Sequence, residues 1–577
     1  MNTLPLGRTD FATEAQRHGA KAWVFPTSVC KFLCASVPLW QKFIGLAALG
    51  FGLNATPVAA AANFPVEEIT IAGVQAAYLR GETSARDVVA AYLARIAAYD
   101  QQGPHLNSII SLNPQALAEA EALDAQLQAT GKLVGSLHGI PVLVKDCIDA
   151  LGMPTTSGFQ GWKNYVAPGD APLVAKIKAA GGIILGKASL SEFTSGGGDN
   201  INSVLPGFAR NPYNTAFATG GSSGGTGASI AANFALVGIG TDTGGSIRMP
   251  SAHNALVGLR PTVGLVSRTG IFPNNSVRDT GGPMTRTVTD LAVLLDAIAG
   301  PDAADPATQR AAGHIAPTYT AALKKDALKG ARLGVLRQVF TAKITDPRII
   351  ANFEKTLAEL RAAGAIIVED FAVPEIDKLP RAPQTAARRK ADLIKYFAAH
   401  PGMPYATPQA LADSRLSHPL HQPGVESWAA AGPVETDPAT IKGLETEEAY
   451  RVAFTKAMDA GRIDAVIFPT WSQLPVLNGD RNTQLMTDEA VPVPASGTPA
   501  RVVTGLGSSL TFVGSTLQWP ALSVPNGYLG EGLPCGLQIL GRAWDEAKII
   551  GFAYAYEQAT HYRRPPPSAP PLVPGQK

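Results

Sequence analysis

The chain has 577 residues, of which 46% are hydrophobic and 16% charged, and its formal net charge is +2. This composition is typical of a globular protein with a large core and excludes a disordered chain. A charge so close to neutral gives no indication of a nucleic-acid-binding surface.

The first distinctive segment lies at residues 43–62. Lys42 precedes an uncharged apolar run, and Asn54, Pro57 and an alanine-rich stretch follow it. A basic flank, a short apolar run and small residues are typical of a secretory signal peptide. The alternative is an uncleaved membrane anchor, because the segment is about long enough to span a bilayer. We expect residues 1–62 to be an N-terminal extension with a cleaved signal peptide and residues 63–577 to be one folded domain. The protein is then periplasmic or secreted, without stable membrane insertion.

Cleavage would also remove Cys30 and Cys34, so that only Cys147 and Cys535 remain. Two cysteines in a large exported protein do not form a disulfide framework. We predict two buried free thiols.

Helical and strand-like segments alternate along the rest of the chain. Ser84 and Asp87 form a capping pair for a first helix, Asn113 and Pro114 open a second, and the apolar run 141–145 is a buried strand that ends in Lys145. Further helices are predicted at 173–180, 226–234, 287–299 and 350–363, and further strands at 182–186, 235–240, 332–336, 464–469 and 521–525. This alternation predicts an α/β layered fold. Residues 375–450 have the least regular pattern.

Two glycine-rich stretches contain candidate nucleophilic serines: G-G-S-S-G-G at 220–225 and G-T-D-T-G-G-S-I-R at 240–248. A serine needs a base to take its proton. No histidine lies in a signature that connects it to Ser246, and we interpret the nearest one, His253, as structural. Residues 221–225 fit the G-x-S-x-G elbow of α/β-hydrolases around Ser223, but that elbow needs a preceding strand, and residues 213–219 are weak as a strand.

Two other patterns fit their motifs poorly. Residues 181–188 resemble a phosphate-binding loop, but Ala188 replaces the required Ser or Thr. His418 and His421 have the spacing of metal ligands, yet prolines flank them and no carboxylate motif accompanies them. We expect no metal and no cofactor.

Lys145 is the remaining candidate base. At the end of an apolar strand its ammonium group would be poorly solvated, which lowers its pKa, and a neutral lysine can act as a general base. Taken alone, a strand-end lysine that reaches solvent is the simpler interpretation. The two serine-containing stretches favour the catalytic one.

These stretches resemble the amidase signature family. G-G-S-S-G-G is followed by G-T-D-T-G-G-S-I-R-M-P and then by G-L-R-P-T-V-G-L at 258–265, and H-G-I-P-V-L-V-K-D at 138–146 and G-L-P-C-G-L-Q-I-L-G-R at 532–542 extend the likeness over roughly residues 65–566. The resemblance implies one α/β/α sandwich around a large mixed β-sheet. It also implies an amidase that hydrolyses a carboxamide C–N bond in a small-molecule or peptide substrate.

The resemblance assigns roles to particular residues. Lys145 matches the general base, Ser222 the bridging serine that follows a cis peptide bond, and Ser246 the nucleophile that forms an acyl-enzyme. The oxyanion hole matches the backbone amides of Thr243, Gly244, Gly245 and Ser246, and the supporting positions are Gly221, Asp242 and Arg248. Cys147 and Arg260 stand where other residues are frequent in the family, and we expect neither to touch the triad.

Three alternatives stay open. They are the A subunit of a tRNA-dependent amidotransferase, which works with partner subunits and ATP, a serine esterase of the α/β-hydrolase type, and a catalytically dead binding protein. The substrate also stays open. Arg381, Arg388 and Arg389 could bind an acidic substrate, but we expect a solvated helix face.

Overall fold

The computed structural model describes residues 64–195, 203, 205–374, 376, 385–479 and 512–572. The predicted signal peptide, the predicted boundary after residue 62 and Arg381 lie outside these residues.

The described chain forms one mixed sheet of eleven strands in the order β1-β3-β2-β4-β6-β5-β10-β11-β9-β7-β8. The strands are β1 (Ile109–Leu112), β2 (Pro141–Lys145), β3 (Ile183–Ala188), β4 (Val237–Asp242), β5 (Val257–Arg260), β6 (Thr280–Thr285), β7 (Arg332–Val335), β8 (Ile366–Val368), β9 (Ala465–Pro469), β10 (Ala521–Leu529) and β11 (Leu533–Leu540). Strand β2 pairs in parallel with β3 and β4, and β7 pairs in parallel with β8 and β9. The other pairs are antiparallel.

The described residues also form fourteen α-helices. They are α1 (Ile71–Arg80), α2 (Ala85–Tyr99), α3 (Ala116–Thr130), α4 (Pro172–Ala179), α5 (Gly224–Ala231), α6 (Arg248–His253), α7 (Val288–Ile298), α8 (Pro347–Ala362), α9 (Ala386–Ala398), α10 (Pro408–Ser414), α11 (Gln422–Ala430), α12 (Pro438–Ala460), α13 (Phe512–Leu517) and α14 (Glu546–Thr560). Among these helices, none combines the length and the hydropathy needed to cross a bilayer. The predicted α/β fold with a large mixed sheet is confirmed.

Several local predictions are also confirmed. The Ser84 hydroxyl accepts the Asp87 amide at the start of α2, and β2 has the predicted bounds. Helix α3 begins later than predicted, at Ala116, because Asn113 accepts the amide of Gln115 and so forms the turn that precedes the helix.

The irregular pattern predicted for residues 375–450 is wrong. Helices α9, α10, α11 and α12 occupy most of the described part of this segment. Three of the prolines that make the sequence look irregular lie in the first turns of helices: Pro408 follows the cap Thr407, Pro438 follows the cap Asp437, and Pro423 is in the first turn of α11. Proline is favoured there because its missing N–H would have no partner in the helix.

The sheet order brings the predicted site together. Strands β2 and β4 are parallel neighbours and are buried along their whole length. Their carboxyl ends, Lys145 and Asp242, therefore lie at the same edge of the sheet. The glycine-rich turn with Ser246 follows β4 directly, and α6 begins at Arg248. Strand β6 runs antiparallel to β4, which places its first residue, Thr280, opposite Asp242.

Candidate active site

Lys145 is completely buried at the end of β2. Its Nζ donates hydrogen bonds to Ser222 Oγ at 2.7 Å and to Thr241 Oγ1 at 2.8 Å. Burial lowers the pKa of Lys145 from 10.5 to about 8, although nearby anionic groups oppose the shift. The interpretation of Lys145 as a strand-end lysine that reaches solvent is therefore wrong. With this lowered pKa, part of the Lys145 side chain is a neutral amine near neutral pH.

Ser222 lies in the loop before α5, where the residue is 2% exposed. The peptide bond between Gly221 and Ser222 is cis, as the resemblance implies. The carbonyl of Ser222 accepts the amide of Ser191 at 3.0 Å. This bond to Ser191 fixes the backbone of Ser222 and so keeps its hydroxyl next to Lys145 Nζ.

The two glycine-rich stretches meet through Ser223, whose amide donates to the carbonyl of Ser246 at 3.2 Å. Ser246 is half-buried, and its hydroxyl forms no hydrogen bond to any other described residue. The Ser223 hydroxyl is buried and donates to the Thr241 carbonyl at 3.2 Å. No strand directly precedes Ser223 in the described chain, so the α/β-hydrolase elbow is wrong.

Asp242 stabilises the turn that carries Ser246. Its carboxylate accepts the amides of Gly245 at 2.9 Å and Ile247 at 3.1 Å, and it forms buried ion pairs with Arg248 and Arg260, both at 3.0 Å. Burial alone would raise the pKa of Asp242, but the two guanidinium groups outweigh it and hold this pKa well below its usual range. The carboxylate is thus ionised, and its hydrogen bonds to the two amides fix the backbone of the turn.

One of the predicted oxyanion-hole amides already has a partner. The Gly245 N–H points to Asp242, so it could reach a substrate oxygen only by sharing its proton between two acceptors. This contact arises because a carboxylate three residues earlier can cap the turn that leads into α6.

Cys147 and Arg260 are closer to the site than we expected. The Sγ of Cys147 lies 3.7 Å from Thr241 Oγ1, which in turn binds Lys145. Arg260 donates to both the carbonyl and the carboxylate of Asp242. Neither residue forms a hydrogen bond to the triad within the described part of the chain. Cys147 is linked to Lys145 through Thr241, and Arg260 contacts the carboxylate that holds the amides on either side of Ser246.

Comparison with known proteins shows the family of this chain. The profile of the family described as Amidase matches residues 87–550. The chain belongs to this family. The A subunit of the glutamyl-tRNA(Gln) amidotransferase of Alkalilimnicola ehrlichii is 34% identical over 511 residues, which cover 87% of this chain and 99% of the relative. This amidase family member is therefore an enzyme that acts on amide C–N bonds, as a hydrolase or an amidotransferase.

Solved structures of amidases resemble this one closely. Peptide amidase in complex with the inhibitor chymostatin is 36% identical with a TM-score of 0.77, and it covers 87% of this chain and is itself covered completely. The native peptide amidase of Stenotrophomonas maltophilia is also 36% identical, with a TM-score of 0.75 and coverages of 87% and 99%. A bacterial aryl acylamidase is 26% identical with a TM-score of 0.69, at coverages of 86% and 98%.

The sequence did not predict two residues of this amidase site. Thr241 binds Lys145, and Asp279 accepts the hydroxyl of Thr243. Thr241 directly precedes Asp242, so its place beside the site could have been inferred once β4 was predicted. The pairing of β4 with β6, which brings Asp279 to the site, has no local signal in the sequence.

The solvated helix face predicted around Arg389 is wrong for that residue. Arg389 is only 3% exposed, and its guanidinium lies over the rings of Phe272 and Trp428. It donates to Asn274 Oδ1 at 2.8 Å and to the carbonyl of Phe193 at 2.6 Å. Arg388 is half-buried.

The sequence offered three histidines as a base or as metal ligands, namely His253, His418 and His421. His253 is buried, its pKa is lowered to about 4 by burial, and its ring packs edge-on against Trp471. His418 and His421 have ring centroids 6.1 Å apart. In the part of the chain that the structure describes, no group of three or more His, Cys, Asp or Glu side chains could hold a metal ion.

Proposed function

We propose that this protein is an amidase that hydrolyses a carboxamide C–N bond through Lys145, Ser222 and Ser246. The observation that carries the proposal is the buried lysine with a lowered pKa, whose Nζ lies 2.7 Å from Ser222 Oγ. The hydrogen bond from Ser223 to the Ser246 carbonyl holds the second glycine-rich turn beside this pair.

The reaction follows from these positions. Neutral Lys145 takes a proton from Ser222 as Ser222 takes one from Ser246, and Ser246 Oγ attacks the carbonyl carbon of the amide. The negative charge on the carbonyl oxygen is stabilised by backbone amides of the 243–246 turn, where loss of one donor costs about 10²–10³ in rate in other hydrolases. The proton returns through Ser222 to the leaving amine. Water then hydrolyses the acyl-enzyme, with the same relay as the base.

The solved relatives suggest the substrate class. Two of the similar structures are peptide amidases, and one is an aryl acylamidase. A peptide C-terminal amide or a small aryl amide is therefore the first class to test. An ester that yields the same acyl-enzyme is expected to react as well.

The proposed location rests on the N-terminal sequence. A cleaved signal peptide within residues 1–62 would deliver the enzyme to the periplasm or outside the cell. N-terminal sequencing of the protein recovered from each cell fraction tests this. A mature N-terminus near residue 62 in the periplasm or medium supports it, and an intact Met1 in the cytoplasm contradicts it.

A second candidate is the A subunit of a tRNA amidotransferase, because a relative of that name is 34% identical over nearly its whole length. By its name, that relative is one subunit of an enzyme that transfers an amide group. The two functions differ in whether the isolated chain, without partner subunits, hydrolyses peptide amides or aryl amides.

The test is to incubate the purified protein, without ATP or partners, with peptide C-terminal amides, aryl acylamides and free glutamine. Release of ammonia or amine from the first two, lost in Ser246→Ala, supports the amidase. Release from glutamine alone favours the amidotransferase. Turnover retained in Ser246→Ala contradicts the proposed nucleophile.

A further inference from the structure

Thr243 is the first residue of the turn that carries Ser246, and its side chain is buried. Its hydroxyl donates a short hydrogen bond to Asp279 Oδ1. The register of the sheet explains the contact: Asp242 pairs with Thr280 in the antiparallel β4–β6 ladder, so the next residue of one strand faces the preceding residue of the other.

Both oxygens of the Asp279 carboxylate accept hydrogen bonds. Its second oxygen accepts the amides of Asn274 at 2.7 Å and Asn275 at 2.8 Å. All three of these partners are donors, and an ionised carboxylate is the form that can accept from all of them. Burial raises the pKa of Asp279, and the bond from Thr243 opposes this. The carboxylate therefore connects the 274–275 loop to the turn that follows β4.

Helix α9 holds this loop from the other side. Asp392 accepts the Ser276 amide at 2.9 Å and the Ser276 hydroxyl at 2.7 Å. Arg389, three residues earlier and on the same face of the helix, donates to Asn274 Oδ1 at 2.8 Å. The arginine is itself anchored to the carbonyl of Phe193. Two side chains of α9 thus fix the loop that presents Asp279.

We propose that Asp279 is a positioning residue that sets the turn for catalysis by holding the Thr243 hydroxyl, with Arg389 and Asp392 of α9 as its support. The inference rests on the proposed function, because it assumes that amides of the 243–246 turn stabilise the oxyanion. Asp279 does not touch the substrate. It acts through the backbone position of Thr243, and a displacement of about 1 Å at such a site can cost on the order of 100-fold in rate.

The test measures inactivation by a fluorophosphonate probe, whose phosphoryl oxygen occupies the oxyanion position when Ser246 is labelled. Thr243→Val removes the hydroxyl, and Thr243→Ser keeps it. We expect kinact of Thr243→Val to fall about 10- to 100-fold while KI stays within about threefold. Thr243→Ser should stay within about threefold of the wild type in both constants.

The matched control is Thr318→Val. Its hydroxyl also donates to an aspartate, Asp296 of α7, at 2.6 Å. It removes the same kind of contact outside the turn and should leave kinact unchanged. Asp392→Asn is a milder variant that weakens the loop without touching the turn, and it should lower kinact by a smaller factor.

The outcomes separate the two claims. If Thr243→Val is labelled at Ser246 as fast as the wild type, this inference alone is overturned. The same follows if Thr243→Ser is labelled as slowly as Thr243→Val. A weaker affinity for the probe with kinact unchanged also overturns it. Failure of the wild-type protein to be labelled at Ser246 overturns the proposed function, and this inference with it.

Discussion

The lowered pKa of Lys145 makes a quantitative prediction about the pH dependence of catalysis. The perturbation is pH, and its effect is compared between the wild type and Lys145→Met. Methionine keeps an unbranched side chain, one atom shorter than lysine, that cannot take a proton. The active form of the base is the neutral amine, so the rate rises with pH up to the pKa of Lys145 and is constant above it.

The magnitude follows from the pKa of about 8 that burial gives Lys145, compared with 10.5 for an exposed lysine. At pH 7 about one tenth of the buried lysine is neutral, against about three in ten thousand of an exposed one. Burial therefore increases the reactive fraction roughly 300-fold at neutral pH. Since general base catalysis contributes about 10²–10⁴-fold, Lys145→Met should lose a factor in that range.

The assay measures kcat/KM between pH 6 and 10 on any amide that the enzyme hydrolyses. We expect a tenfold rise per pH unit at low pH and an inflection near 8. Lys176→Met, which removes a half-buried lysine of α4 that binds the carbonyls of residues 298 and 299, is the control and should keep the profile. An inflection near 6.5, or a Lys145→Met variant with normal activity, would refute the lysine as base and point to a histidine.

Two further predictions concern the scaffold of the site. Asp242→Asn leaves two buried guanidinium groups without their counter-ion, so it should abolish activity and lower the free energy of unfolding by about 3–5 kcal/mol in urea denaturation. The control Arg86→Ala breaks an exposed ion pair with Glu121 and should cost less than about 1 kcal/mol; equal costs for the two variants would contradict the assignment. Gly225→Ala would place a Cβ 2.4 Å from the backbone N and O of Ser189, so it should destabilise the protein by at least about 1–3 kcal/mol. Gly432→Ala has open space around it and should change the melting temperature little. A tolerated Gly225→Ala would show that the start of α5 does not pack against the backbone of Ser189 as the structure has it.

The sequence predicted the elements better than the contacts between them. Strand β2 and its terminal Lys145 could be located because a short branched apolar run is a clear local signal. Helices α10 and α12 were missed because the prolines in their first turns look like breaks when the cap before them is overlooked.

The site could be assigned from the motifs, but its support could not. Lys145, Ser222 and Ser246 lie in recognisable stretches, whereas Asp279 reaches Thr243 only through the pairing of β4 with β6. Burial of Arg389 depends on aromatic rings contributed by distant segments. Such contacts depend on strand order and on packing over long sequence separations, which local patterns do not determine.

The most direct test of the proposed mechanism is to locate the covalent adduct of a fluorophosphonate probe by mass spectrometry, in the wild type and in Lys145→Met. The mechanism predicts one adduct, on Ser246, that forms rapidly in the wild type and is lost when the lysine is replaced. An adduct on Ser223, or labelling of Ser246 that does not depend on Lys145, would contradict the Ser–Ser–Lys mechanism.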